Sequence, residues 1–117
     1  MKYEPIPEFD REEILRQLKS GNENEENIVL AILSAALHDD DWLWAQNICL
    51  KGLGHANFVI KRAGLIGLSH VVRLHGRLDL DVVAKKLSPY REAHELSGYV
   101  ENLFSDINIY HRPQSEN

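Results

Sequence analysis

The chain has a single cysteine, Cys49, in 117 residues, so no intramolecular disulfide can form. A lone thiol within an apolar-periodic segment fits a reducing compartment better than secretion. No apolar run approaches the roughly 20 residues that a membrane-spanning helix needs. The opening MKYEPIPEFD carries acids and prolines where a secretion signal needs a basic and then an apolar stretch. These absences lead to the expectation of a soluble, cytoplasmic protein with no membrane partner. The sequence has no HExxH, no Cys/His zinc spacing, and no glycine loop with a strand before it and a phosphate-binding lysine after it. It offers no base–nucleophile pairing either, so neither an enzyme nor a metal or cofactor is expected. Runs of β-branched residues alternating with polar ones are also missing, and this removes a sheet.

What is present has the composition of a globular domain, 44% hydrophobic and 26% charged. At this length roughly two thirds of the unfolded surface can be buried, enough for one core without staples. The expected organisation is one domain over residues 1–117. Residues 1–9, with Pro5 and Pro7, form an extended lead-in, and 113–117 form a flexible tail. The net charge of −5 is segregated: residues 1–46 carry −7, residues 47–88 carry +5 and residues 89–117 carry −3. Such a distribution gives a fold two oppositely charged surfaces, which steer association.

The periodicity predicts about six helices in antiparallel hairpins. Asp10-x-x-Glu13 has the spacing of a capping box, and Ser20-Gly21-Asn22 stops the first helix. The second follows Asn24 to about Leu37 and is nearly apolar all round, as a helix buried on several sides must be. One of Asp39, Asp40 or Asp41 caps the third, which runs to Leu53 with Gly52 and Gly54 ending it. Asn57 caps the fourth, closed by His75-Gly76. The fifth starts at Asp79 and breaks at Ser88-Pro89, and Tyr90 to Glu95 forms a short turn. The last begins near Ser97, with Val100, Leu103, Phe104, Ile107 and Tyr110 on one face. Glu101, Asn102 and Asp106 lie on the other.

Laid over each other with an offset of eighteen, the third and fourth helices match Trp42 with Ile60, Ala45 with Ala63, Cys49 with Gly67, and Leu50 with Leu68. Asp39-Asp40-Asp41, then Arg62-Ala63, then Leu65-Ile66-x-Leu68 resemble the HEAT-like, armadillo-type helical repeats. That resemblance covers about forty residues and implies a short, capped α–α superhelix. The run Gly67–Asp79, with Tyr99-Val100-Glu101 and Phe104–Ile107, looks like small stand-alone bacterial HEAT-like proteins, some of which resemble immunity proteins that neutralise a toxin.

Three aspartates exceed what one helix cap requires, so Asp39, Asp40 and Asp41 form a candidate acidic epitope. The plainer reading is a loop supplying a cap and dipole charge. Trp42 and Trp44 diverge by about 200° around a helix. Trp42 aligns with apolar Ile60 and is expected inside, which makes Trp44 the candidate for the outward residue, beside the aspartates, with the character of an interface hot spot. If helices flank the third on each side, both tryptophans pack in the core. Gly64 and Gly67 are expected to admit a close neighbour, Trp42 or Trp44. His70, Arg73 and His75 suggest a cluster on the fourth helix. Lys61, Arg62 and Arg73 could form a basic stripe for phosphates, or pair with the aspartate loop, Arg62 above all.

The functional expectation is a non-enzymatic protein-binding module. Following the resemblance, it is an immunity-type inhibitor that covers the active site of one basic toxin. Its contact residues are Asp39, Asp40, Asp41 and Trp44, with Arg73 and His75 on the adjoining hairpin. The alternatives are a nucleic-acid-binding module using the helix-four stripe, or a scaffold within a larger assembly.

Overall fold

The computed structural model describes residues 5–20, 24–92 and 94–112. Among them the chain is all-α, with helices α1 (Arg11–Leu18), α2 (Glu25–His38), α3 (Trp42–Leu53), α4 (Phe58–His75), α5 (Leu80–Leu87) and α6 (Ser97–Tyr110). A 3-10 turn, Ser88–Tyr90, follows α5 at the proline.

Four helices begin on a side chain that accepts backbone N–H groups left without an intrahelical partner. Asp10 accepts from Glu13 N at 2.8 Å, and Asp41 from Leu43 N and Trp44 N at 3.0 and 3.2 Å. Asn57 accepts from Ile60 N at 3.1 Å and Asp79 from Val82 N at 3.3 Å. Each such cap contributes about 1 kcal/mol and sets the register of the apolar face behind it. Asp41, the last of the three aspartates, is therefore the cap of α3. Gly76 closes α4 in the left-handed conformation (φ 70°), which a side chain would resist. Gly54 ends α3 without that device, at φ −78°. Gly52 lies inside α3, where a Cβ would meet Ile32 Cδ1 at 2.5 Å; it marks a packing contact with α2 rather than a helix end. The expected stop at Gly21-Asn22 and the expected tail at 113–117 lie outside the described residues.

The helices stack in a definite order. α2 packs against α1, α3 and α4, and α4 in turn packs against α2, α3 and α6. The second helix of each successive pair thus falls in one layer, α2–α4–α6. The buried side chains of all six helices form one apolar cluster, from Ile14 through Ile32, Ile48 and Leu68 to Val83 and Leu103. At the middle of this cluster α3 and α4 approach at backbone distance. A Cβ on Gly64 would stand 2.5 Å from Cys49 O, and one on Gly67 would stand 2.6 Å from Cys49 Sγ. The close neighbour of these glycines is therefore Cys49, not Trp42 or Trp44. Burial pushes the Cys49 thiol up to about 12, so it is a packed, protonated small side chain.

Of the lead-in, Ile6 and Phe9 are docked. Phe9 packs on the core while its N–H donates to Ser34 Oγ at 2.9 Å, and His38 Nε2 stands 2.9 Å from the Ile6 carbonyl.

Candidate functional site

Two regions concentrate polar chemistry, and the residues singled out in the sequence divide between them. The first is the end of the stack where α2 hands over to α3 and α4 to α5. The chain turns tightly at 39–41 and at 76–79, and buried Gln46 of α3 ties that helix to the second turn by accepting from Asp79 N at 2.6 Å. The end of α6 is fastened to the same place, with Arg112 N donating to Gly76 O at 2.9 Å.

At this pole Asp39 is already engaged. Arg11, at the start of α1, donates from Nε and Nη2 to both its carboxylate oxygens at 2.9 and 2.8 Å. The Asp41 N–H donates to Asp39 Oδ1 as well, at 2.8 Å. These contacts, Arg11 foremost, hold the Asp39 carboxyl below the usual carboxylate range, and the nearby charge of His75 adds to the effect. The cation facing the aspartate loop is thus Arg11 and not Arg62, which lies between the rings of Phe58 and Tyr99 at 5.8 and 5.9 Å. The face of Arg11 covers the Trp44 ring at 4.4 Å, and Arg77 covers Trp42 at 5.0 Å. Both tryptophans are half-buried against the core, rather than one inside and one out.

Asp39 and Asp41 therefore have structural duties, and Asp40 is exposed without one. At the same end of the stack Leu43 and Leu80 remain 44% and 41% exposed. Both border a groove of about 440 Å³, floored by Trp42 and Leu78 and edged by Arg77 and Asp81. Exposed leucines beside carboxylates form the kind of mixed surface that partner proteins cover. Leu43, Leu80 and Asp81 escaped the sequence reading because nothing local marks an apolar residue in a first helical turn as facing outward.

The second region is the seam between α4 and α6. Arg73 and His75, two residues apart on α4, point to different sides. His75 faces the pole, whereas Arg73 turns to α6 and pairs with Asp106 at 3.1 Å. Asp106 was expected on the outer face of α6; it is only 8% exposed and belongs to the inner one. A cleft of about 290 Å³ opens along this seam, lined by Ile66, His70 and Arg73 from α4 and by Tyr99, Asn102 and Asp106 from α6. Burial lowers the pKa of His70, the Arg73 charge lowers it further, and Asp106 opposes both. The imidazole is therefore biased to the neutral form.

The basic middle of the chain is largely used internally. Lys61 Nζ donates to Leu53 O at 3.0 Å and to Tyr90 Oη at 2.9 Å, which leaves Lys85 and Lys86 as exposed cations of α5. No group of three metal-binding side chains occurs among the described residues, and no described helix is long and apolar enough to cross a membrane. Compared with models of known protein families, with curated proteins and with solved structures, the chain matches none.

Proposed function

We propose that this chain is a non-enzymatic protein-binding module, a short HEAT-like stack that acts in the cytoplasm as an immunity-type inhibitor. Its mechanism is occlusion: a preformed surface covers the active site of one basic partner, a toxin domain. The observation that carries this reading is the pole of the stack. There Leu43 and Leu80 stand exposed on a groove lined by Asp79 and Asp81, with Asp40 and Asp41 on the loop that leads into α3, and among the described residues no cation pairs with Asp40 or Asp81. Apolar contact area supplies the affinity, and the carboxylates steer a basic partner and select against acidic ones. Further support comes from the layered helices, which match the architecture implied by the resemblance, and from the lone buried thiol, which suits a reducing compartment. Trp44 and His75 border this pole, while Arg73 falls outside it.

The test is affinity capture of the tagged chain from its native lysate, run beside an Asp40→Lys/Asp81→Lys variant. These positions are chosen because Asp39 and Asp41 also hold the fold together. The expected result is one stoichiometric protein, toxic when expressed alone, that the reversed-charge variant fails to retain. Recovery of nucleic acid, or of many proteins from one assembly, overturns the inhibitor reading in favour of phosphate binding or a scaffold role.

A further inference from the structure

We propose that the cleft between α4 and α6 is a binding site for a small planar molecule presenting an N–H donor and a C=O acceptor side by side. A pyrimidinone, a lactam or an aromatic carboxamide has this edge. The site is distinct from the pole and does not rest on the protein-binding reading.

Two packed helices are best joined by apolar side chains, and a buried ion pair adds little or nothing to stability relative to apolar residues of similar size. Yet α6 presents Asn102 and Asp106 to this seam, and α4 answers with His70 and Arg73. The Asp106 side chain is 12% exposed, opening to the cleft, and an ionised carboxylate has room for about four hydrogen bonds. Among the described residues it meets only Arg73, through Nη2 at 3.1 Å, and no backbone or side-chain N–H is directed at it. His70 has no hydrogen-bond partner among the described residues either, although half of it is covered. No buried side-chain polar atom among the described residues lacks a partner, so the unused capacity of Asp106 and His70 opens onto the cleft, while half-exposed Arg73 keeps guanidinium N–H groups to give.

That pattern defines a complement. A simple anion would meet Arg73 but also the Asp106 carboxylate. A simple cation would meet Asp106 but also Arg73. A ligand edge with an N–H next to a C=O satisfies both at once, the N–H donating to Asp106 and the carbonyl accepting from Arg73. Neutral His70 and Asn102 can each add a donor or an acceptor. The flanking surfaces, Tyr99 and Ile66, suit the two faces of a flat ring. A volume of about 290 Å³ stands at the small end of ligand pockets, which suits one or two rings and excludes a nucleotide with its phosphates.

The experiment is an amide-resolved NMR titration of the full chain with uracil and with nicotinamide. Benzoate, a planar anion, and benzylamine, a planar cation, serve as controls. Uracil or nicotinamide should give saturable shifts confined to residues 65–73 and 99–106. Asp106→Asn and Arg73→Gln should each weaken that binding about tenfold, the scale of one lost charge-assisted hydrogen bond. If Asp106→Asn disturbs the fold, visible as lost peak dispersion, Arg73→Gln at its half-exposed position decides alone. Three results overturn the proposal: no saturable shift at the seam with either probe, equal or tighter binding of benzoate or benzylamine, or unchanged affinity in folded variants.

Discussion

Replacing Gly67 by alanine should destabilise the protein, and a second substitution should undo the damage. The new Cβ would lie 2.6 Å from Cys49 Sγ, while its next neighbours, Ala36 Cβ and Ile32 Cγ2, stand at an ordinary 3.5 Å. One sulfur atom is therefore the whole obstacle. Cys49 is fully buried and cannot swing away, so α3 and α4 must part slightly. Overpacking of this kind costs about 1–3 kcal/mol, against which alanine returns up to ~1 kcal/mol of helix propensity. The net loss for Gly67→Ala is about 1–2 kcal/mol. Cys49→Ala alone removes one buried heavy atom and costs about 1 kcal/mol. In the double variant the alanine methyl occupies the space that the sulfur leaves. It should be more stable than the sum of the single effects by about 2 kcal/mol, a coupling well above the scatter of independent sites. Urea unfolding followed by far-UV circular dichroism measures all four proteins. Gly64→Ala is the internal control, because its Cβ would strike backbone, Cys49 O at 2.5 Å and Leu53 N at 2.8 Å. Cys49→Ala cannot relieve that clash. Additive effects at Gly67, or equal rescue at Gly64, would refute the close packing of α3 on α4.

Three further outcomes follow from the same geometry. Asp41→Ala should cost about 1 kcal/mol in thermal or urea unfolding because α3 loses its cap, whereas Asp40→Ala should leave stability within about 0.5 kcal/mol. His70 has a folded-state pKa below its unfolded value, so the unfolded chain binds its proton more readily. Its contribution is complete above about pH 6.5 and is lost as the pH falls, and His70→Gln should flatten the decline of Tm between about pH 7 and pH 5. The Asp39 carboxyl is likewise held below its unfolded value. Its contribution is present above about pH 4 and disappears as the pH falls through the folded-state value, so Arg11→Met should soften the acid limb of the same Tm profile.

The parts of the fold that the sequence disclosed are those fixed by local rules. Asp10, Asn57 and Asp79 cap where their spacing predicts, Gly76 takes the left-handed close, and the apolar circumference of α2 matches its burial on several sides. The parts it concealed depend on which helices become neighbours. Asp106 reads as outward because it shares a side of α6 with Glu101 and Asn102, and only the arrival of α4 with Arg73 turns that edge inward. Arg62 precedes an alanine as the repeat pattern suggests, yet the aspartate loop is met by Arg11, twenty-eight residues before Asp39, a pairing that no local window contains. The acidic loop itself was legible as a candidate surface. Its division of labour was not, because cap, ion-pair partner and exposed charge are all written as aspartate.

That division bears on the charge segregation of the chain. The central block is basic in sequence, but Arg73 faces Asp106, Arg77 lies on Trp42, Arg62 lies between two aromatic rings and Lys61 is held by Leu53 O and Tyr90. Cations held this way are poorly placed to form a continuous phosphate-binding stripe, since each contact with a phosphate would first release an internal one. The acidic side is less consumed: Asp40 and Asp81 stay exposed at the pole, beside the leucines that the core does not cover. Of the seven cations of that block, Lys51, Lys85 and Lys86 stay exposed without such a contact, so the block is less basic at the surface than in sequence, and the apolar centre of the pole is the groove by Trp42. A basic protein with an apolar anchor fits that combination better than a nucleic acid does, because the same carboxylates that attract the first repel the second.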